Sequence, residues 1–133
     1  GPILELGLGN GRTYDHLRCL FPDREIFGFD RRVAAHPNCI PDKTHMILGD
    51  IFETLPCAGK RIGAPAALAH CDIGTGDAQE NARIAAFLRL ELPRLMARSA
   101  VILADQPIEP EGWSPLPPPP GVKPNRYFIY QQT

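Results

Sequence analysis

The sequence predicts one doubly wound α/β domain, a mostly parallel sheet with helices on both faces. Short apolar runs alternate with helix-period stretches along most of the chain. Those runs hold few polar residues, as parallel strands covered on both faces do. A length of 133 residues gives room for one core rather than two. Hydrophobic residues make up 44% of the chain and charged ones 22%, so nothing in the composition opposes a globular fold.

Ile3–Leu6 (ILEL) reads as the first strand and Gly7–Gly11 as a tight glycine-rich turn. Arg12–Leu20 follows as a helix, with Tyr14, Leu17 and Phe21 recurring at helical spacing. Glu25–Asp30 (EIFGFD), His45–Leu48 (HMIL), Ala66–Ile73 (AALAHCDI) and Ala100–Ala104 (AVILA) are the second to fifth strands. The longest helix is expected from about Asp77 into the Arg98 region, with an apolar stripe of Ala78, Ala82, Ala85, Leu88, Leu92 and Leu95. Pro93 cannot donate a backbone bond and crowds the preceding turn, so a kink or fresh start belongs there. Strands joined through helices in this way need right-handed crossovers.

Beyond Asp105 the composition changes, with eight of the 15 prolines between Pro107 and Pro124. This stretch is expected to be extended and largely without regular hydrogen bonding, a connector or lid across the sheet's carboxyl edge. A polyproline ligand for a partner domain is the other use of such a stretch. One strand, Arg126–Gln132 (RYFIYQQ), is expected after it.

Fourteen Lys and Arg against 15 Asp and Glu leave a net charge of −1. Without a basic excess, neither nucleic acid nor an anionic membrane is an expected partner. No apolar run approaches the ~20 residues of a membrane helix, and no signal-peptide pattern opens the chain. Cys19, Cys39, Cys57 and Cys71 have no CxxC pairing, which fits unlinked thiols in a reducing compartment. The expectation is a cytoplasmic domain acting on a small molecule; the oligomeric state is not legible.

The most informative segment is Glu5-Leu-Gly7-Leu-Gly9-Asn10-Gly11-Arg-Thr13, between a strand and a helix. Gly7 allows a sharp turn, Gly9 lets a ligand lie against bare backbone, and Gly11 brings a helix start with free amides close. A dinucleotide turn wants G-x-G-x-x-G, but Arg12 stands where its third glycine belongs. Glu5, two residues before Gly7, repels a pyrophosphate and attracts an ammonium group. S-adenosylmethionine carries an ammonium, a sulfonium and no phosphate, so this chemistry favours it over NAD. Asp30 ends the second strand, 23 residues after Gly7, where an acid accepts from ribose hydroxyls. Asp50, in Gly49-Asp50-Ile51, either accepts from an adenine amino group with Ile51 on the ring, or caps the short Ile51–Leu55 segment.

Glu5–Thr13, with Asp30 and Gly49-Asp50, resembles the class I S-adenosylmethionine-dependent methyltransferases. The resemblance implies a Rossmann-like fold and transfer of a methyl group to a small or medium-sized acceptor. Position by position, it implies that Glu5, Gly7, Gly9, Asn10 and Gly11 surround the methionine end of the cofactor, with Thr13 near its carboxylate. Asp30 would hold the ribose, and Asp50 with Ile51 the adenine. The chain departs from the family in starting directly at the first strand and in offering one strand after the prolines, so shortened ends are expected. A cofactor-binding sensor or silent partner subunit, and a nucleotide-dependent oxidoreductase, are the alternatives.

An acceptor belongs at the ends of the fourth and fifth strands, at His70-Cys71-Asp72-Ile73-Gly74-Thr75-Gly76-Asp77 and Ala104-Asp105-Gln106-Pro107. The Asn-Pro-Pro-aromatic signature of amino-directed relatives is absent. The pattern is closest to the macrocin- or catechol-type O-methyltransferases, which makes Asp72 and Asp105 the catalytic candidates and a hydroxyl the expected acceptor. That likeness would make Asp72, Asp105 and Gln106 ligands of a magnesium ion. Against it, Gln106 is a methylene longer than the family's Asn, and Thr75 stands where a lysine base is expected. The other reading puts Asp72 at the cofactor's amino group and Asp105 as a cap of the following turn. His70 is either a general base or, pointing into the sheet layer, a hydrogen-bonded buried histidine. Trp113, Tyr127 and Tyr130 are candidates to border the acceptor pocket.

Overall fold

The computed structural model describes all 133 residues. In chain order the elements are β1 (Ile3–Leu6), α1 (Arg12–Leu20), β2 (Ile26–Asp30), β3 (Met46–Leu48), α2 (Ile51–Thr54), α3 (Gly59–Ile62), β4 (Ala66–Cys71), α4 (Ala78–Glu91), β5 (Met96–Ala104), β6 (Trp113–Leu116) and β7 (Phe128–Gln132). One seven-stranded sheet runs β3-β2-β1-β4-β5-β7-β6. Its first five strands are parallel, and β7 is antiparallel to both β5 and β6. The chain winds outward from β1 to β3 and then returns to β4 on the other side of β1. Sheet order therefore reverses between β1 and β4, which opens a crevice at their carboxyl ends.

Alternation along the strands divides the core into two layers. Leu4 and Leu6 of β1, Ala69 and Cys71 of β4, and Ile102 and Ala104 of β5 join a cluster of 21 buried residues that also holds Leu55, Ile62, Ile84 and Leu88. This layer is covered by α2, α3 and α4. On the opposite face Ile3 and Ile26 pack with Leu17 of α1, flanked by Tyr14, Phe21 and Leu68. The four cysteines are free thiols. No helix is long and apolar enough to cross a membrane.

The structure corrects three expectations. The long helix stops at Glu91 and passes into a 3₁₀ turn, Leu92–Leu95, with Pro93 at its start; it does not reach Arg98. Its buried line is Ile84, Leu88 and Leu92, whereas Ala78 and Ala82 are exposed. Alanines at helical spacing carry too little apolar area to decide which face turns inward. The following residues form the start of β5, which begins at Met96 rather than Ala100. That start was hidden by Arg98 and Ser99, a bulge where Ser99 takes φ 61° and the pairing with β4 shifts register. The proline stretch, finally, contains β6, paired with β7 through Trp113 and Gln132, Ser114 and Gln131, Pro115 and Tyr130, and Leu116 and Ile129. Proline is tolerated there because β6 is an edge strand, whose outer side needs no ladder donor. An antiparallel pair thus closes the sheet where the sequence suggested one strand.

Candidate functional site

A cavity of about 490 Å³ occupies the crevice between β1 and β4. Gly7 and Gly9 of the glycine turn, and Phe29, Asp30 and Arg31 at the end of β2, form one part of its wall. Gly49, Ile51 and Phe52 follow β3; Asp72, Ile73, Gly74 and Thr75 follow β4; Glu80 and Ile84 come from α4.

The turn is shaped by two glycines with different duties. Gly7 has φ 86°, and a Cβ there would stand 2.0 Å from the Asp72 carbonyl oxygen. The absent side chain lets the exits of β1 and β4 touch. Gly9 has φ 54° and would place a Cβ in open space, so its bare backbone faces the cavity. Gly11 is the N-cap residue of α1 and is buried against Cys39 and Ala35, which makes it a packing glycine. Asn10 accepts from the Arg12 amide at 3.0 Å, holding the helix entry. Gly11, Asn10 and Thr13 are not part of the cavity wall.

Asp30 ties the turn to β2. Its Oδ2 accepts from the amides of Leu8 at 3.0 Å and Gly9 at 3.4 Å, and its Oδ1 from Arg31 at 2.7 Å. Asp50 takes the capping role: Oδ1 accepts from the Phe52 amide at 3.0 Å at the start of α2, and Oδ2 lies 3.4 Å from Arg31. It stands behind the wall, with Gly49 and Ile51 in front. The Phe52 and Phe87 ring centroids lie 4.6 Å apart with the rings tilted by 47°, and the Arg83 guanidinium sits 3.9 Å from the Phe52 ring centroid. This aromatic wall was missed in the sequence, although Phe52 stands two residues after Asp50. Glu80 and Ile84, four apart on one face of α4, were missed as well.

Glu5 does not reach the cavity. It is 1% exposed beneath the turn, where Oε1 lies 2.7 Å from His70 Nδ1 and Oε2 has no partner. Burial raises the Glu5 carboxyl above its usual range, against the pull of His70. Burial also pulls the His70 imidazole down, but the Glu5 bond and charge, together with the charges of Asp72 and Asp105, hold His70 above its ordinary value. The two directions describe one unit that holds its protons to higher pH than either group alone. His70 is thus the hydrogen-bonded sheet histidine, not a free base.

On the β4 side, Asp105 accepts from the amides of Ile73 at 3.3 Å and Gly74 at 2.8 Å. It braces the Asp72–Thr75 loop rather than lining the cavity. Asn81 closes the same loop, accepting from the Thr75 amide at 2.7 Å and hydroxyl at 2.9 Å. Asp77 caps α4 through the amides of Gln79 and Glu80. Partial burial first, and the Asp105 charge second, raise the Asp72 carboxyl, while His70 acts against them. Both Asp105 oxygens accept from backbone amides, and no cluster of three or more His, Cys, Asp or Glu side chains is present. Trp113 and Tyr130 are buried in the core layer, and Tyr127 is exposed, all away from this wall.

The lining carries three acids, Asp30, Asp72 and Glu80, against one base, Arg31. That balance attracts a cationic ligand and repels a diphosphate. Volume, an aromatic and aliphatic wall, and exposed glycine backbone together suit a nucleoside-sized cation such as S-adenosylmethionine.

Comparison with known proteins agrees. A crystal structure of S-adenosyl-L-methionine methyl transferase from Silicibacter pomeroyi DSS-3 superposes with a TM-score of 0.92 at 43% identity, covering 100% of this chain and 82% of that one. The antibiotic-resistance methyltransferase Kmr, at 12% identity, shares the fold with a TM-score of 0.60 over 97% of this chain and 84% of its own. A search of curated proteins found no match. A family model described as S-adenosyl-L-methionine methyltransferase matches residues 1–132. With this match over nearly its whole length and a cation-seeking crevice at the sheet's switch point, the chain belongs to the S-adenosyl-L-methionine methyltransferases and uses S-adenosylmethionine as its cofactor.

Proposed function

We propose that the donor lies along the β1–β3 side of the cavity and that a small or medium-sized acceptor presents a hydroxyl to Asp72. The convergence of Asp30, Asp72 and Glu80 on one 490 Å³ cavity carries this reading. Asp30 accepts from the ribose hydroxyls while keeping the turn in register. Gly7 and Gly9 offer backbone to the methionine portion, and Gly49, Ile51 and Phe52 enclose the adenine. Asp50 serves that end by capping α2. Glu5, Asn10, Gly11 and Thr13 act on the turn's shape and field from behind it.

Bound S-adenosylmethionine supplies an electrophilic methyl group on a sulfonium centre. Asp72 takes up the acceptor's hydroxyl proton; its raised carboxyl, closer to neutral pH than an ordinary aspartate, suits it to that transfer. Asp105 holds the Asp72–Thr75 loop at the required position through its two amide contacts. The acidic lining and the net charge of −1 favour a small molecule over nucleic acid as acceptor.

Asp30→Ala tests the donor half. Loss of charge-assisted hydrogen bonds costs about 1.5–3 kcal/mol, so calorimetry should show roughly 10- to 150-fold weaker S-adenosylmethionine binding. An unchanged dissociation constant removes Asp30 from the site. Release of S-adenosylhomocysteine from a panel of small alcohols and phenols, set against matched amines, tests the acceptor class.

A further inference from the structure

Glu5 and His70 are register partners in the β1–β4 pairing, joined by the 2.7 Å contact between Oε1 and Nδ1. Glu5 is 1% exposed with Oε2 unpartnered, and the His70 side chain is 12% exposed. A buried carboxylate satisfied on one oxygen is costly, and its persistence asks for a use. Its position supplies one. Glu5 stands two residues before Gly7 and His70 two before Asp72, and both of those residues line the cavity. A two-membered charge unit therefore lies directly beneath the donor site, neutral overall when His70 holds its proton and negative when it does not.

We infer that His70 is a positioning residue that couples donor affinity to pH through Glu5: losing the His70 proton uncovers the Glu5 charge and tightens binding of the cationic donor. This rests on the donor site proposed above. The charged groups that act on His70 are Glu5 from β1, Asp72 just beyond its own strand and Asp105 at the end of β5. All three are acids that hold the proton on, so the change falls above pH 6.5.

Calorimetric titration of the wild-type chain and His70→Gln with S-adenosylmethionine from pH 6 to pH 9 tests the coupling. The donor's own amino group titrates equally in both experiments and cancels from the ratio of dissociation constants, which reports the Glu5–His70 pair. Wild-type affinity should gain about four- to fifteenfold relative to the variant across the range. That is the effect of one charge roughly 10 Å away at an effective dielectric of about 20–40. S-adenosylhomocysteine, without the sulfonium charge, should show a smaller gain. A second measurement needs no variant. Coupling is reciprocal, so saturating donor must lower the His70 pKa followed by imidazole resonances in wild type, while the exposed His16 and His36 stay still. A His70 pKa unmoved by saturating donor, or a constant affinity ratio, overturns the inference and leaves the site intact. No binding heat at any pH overturns the donor site itself, and the inference with it.

Discussion

At the residue scale, Gly7 and Gly9, the two turn glycines that line the cavity, separate folding from ligand contact. Gly7→Ala drives a Cβ to 2.0 Å from the Asp72 carbonyl at φ 86°, so backbone must move. A left-handed non-glycine residue alone costs about 1–3 kcal/mol, and the clash adds to it. Gly7→Ala should therefore lower the melting temperature by more than about 5 °C. Gly9→Ala meets nothing within 4 Å. It should keep a melting temperature closer to wild type but bind S-adenosylmethionine more weakly, since the methyl projects toward the open side of the turn. Thermal melts and calorimetry on both variants check the contrast.

The Glu5–His70 pair makes a separate stability prediction. A histidine raised in the folded state contributes stability that is full below pH 6.5 and lost as pH rises through its folded value. Glu5, raised as well, works in the same direction from pH 4.5 upward. The ligand-free chain should lose melting temperature as pH rises above 6.5. His45, raised chiefly by its Asp42 hydrogen bond, shares that window, so His70→Gln should flatten the decline without abolishing it. Melting curves from pH 5.5 to pH 9 on both proteins give the answer.

At the element scale, α4 holds the side of the cavity proposed for the acceptor. Its apolar line presses Leu88, fully buried, into the larger core layer, while Glu80 and Ile84 reach the cavity wall. Leu88→Ala should cost about 2–5 kcal/mol and lower the melting temperature by roughly 10 °C or more. The helix start is set by Asp77, whose Oδ1 accepts from the amides of Gln79 at 2.9 Å and Glu80 at 3.3 Å. α1 contributes differently: only Leu17 is buried from it, and it enters through a left-handed glycine with no side-chain cap. Its placement depends on the Asp30 and Asn10 contacts that pin the turn before it.

For the whole molecule, the sheet order decides where the cavity opens. Reversal between β1 and β4 brings the glycine turn, Asp30 and Asp72 to one opening, although Gly7 and Asp72 lie 65 positions apart. A ligand seated there bridges loops from four strands and should stabilise the entire fold. At a concentration 100 times its dissociation constant, S-adenosylmethionine should add about 2.7 kcal/mol, a rise in melting temperature of about 10 °C. A thermal shift assay with and without the donor checks it.

Much of this was legible in the chain itself. The parallel strands showed as apolar runs because both their faces are covered, and the turn after β1 showed because glycine spacing and the strand-ending Asp30 reflect local backbone geometry. Local signals failed where partners lay far away in sequence. Pro115 disguised β6, whose edge position depends on β7; Arg98 and Ser99 disguised the bulged start of β5, which only pairing with β4 reveals. Glu5 had the charge to meet a donor directly, yet strand alternation turned it under the sheet surface toward His70, 65 positions away. The bracing of the Ile73 and Gly74 amides by Asp105 likewise shows only when the ends of β4 and β5 meet. The sequence by itself determined the fold class, the cofactor and the existence of the glycine turn, because periodicity and glycine geometry are properties of neighbouring residues. Which carboxylates face the cavity and which brace it was decided only by tertiary structure, because hydrogen-bond partners and burial arise when distant strands meet.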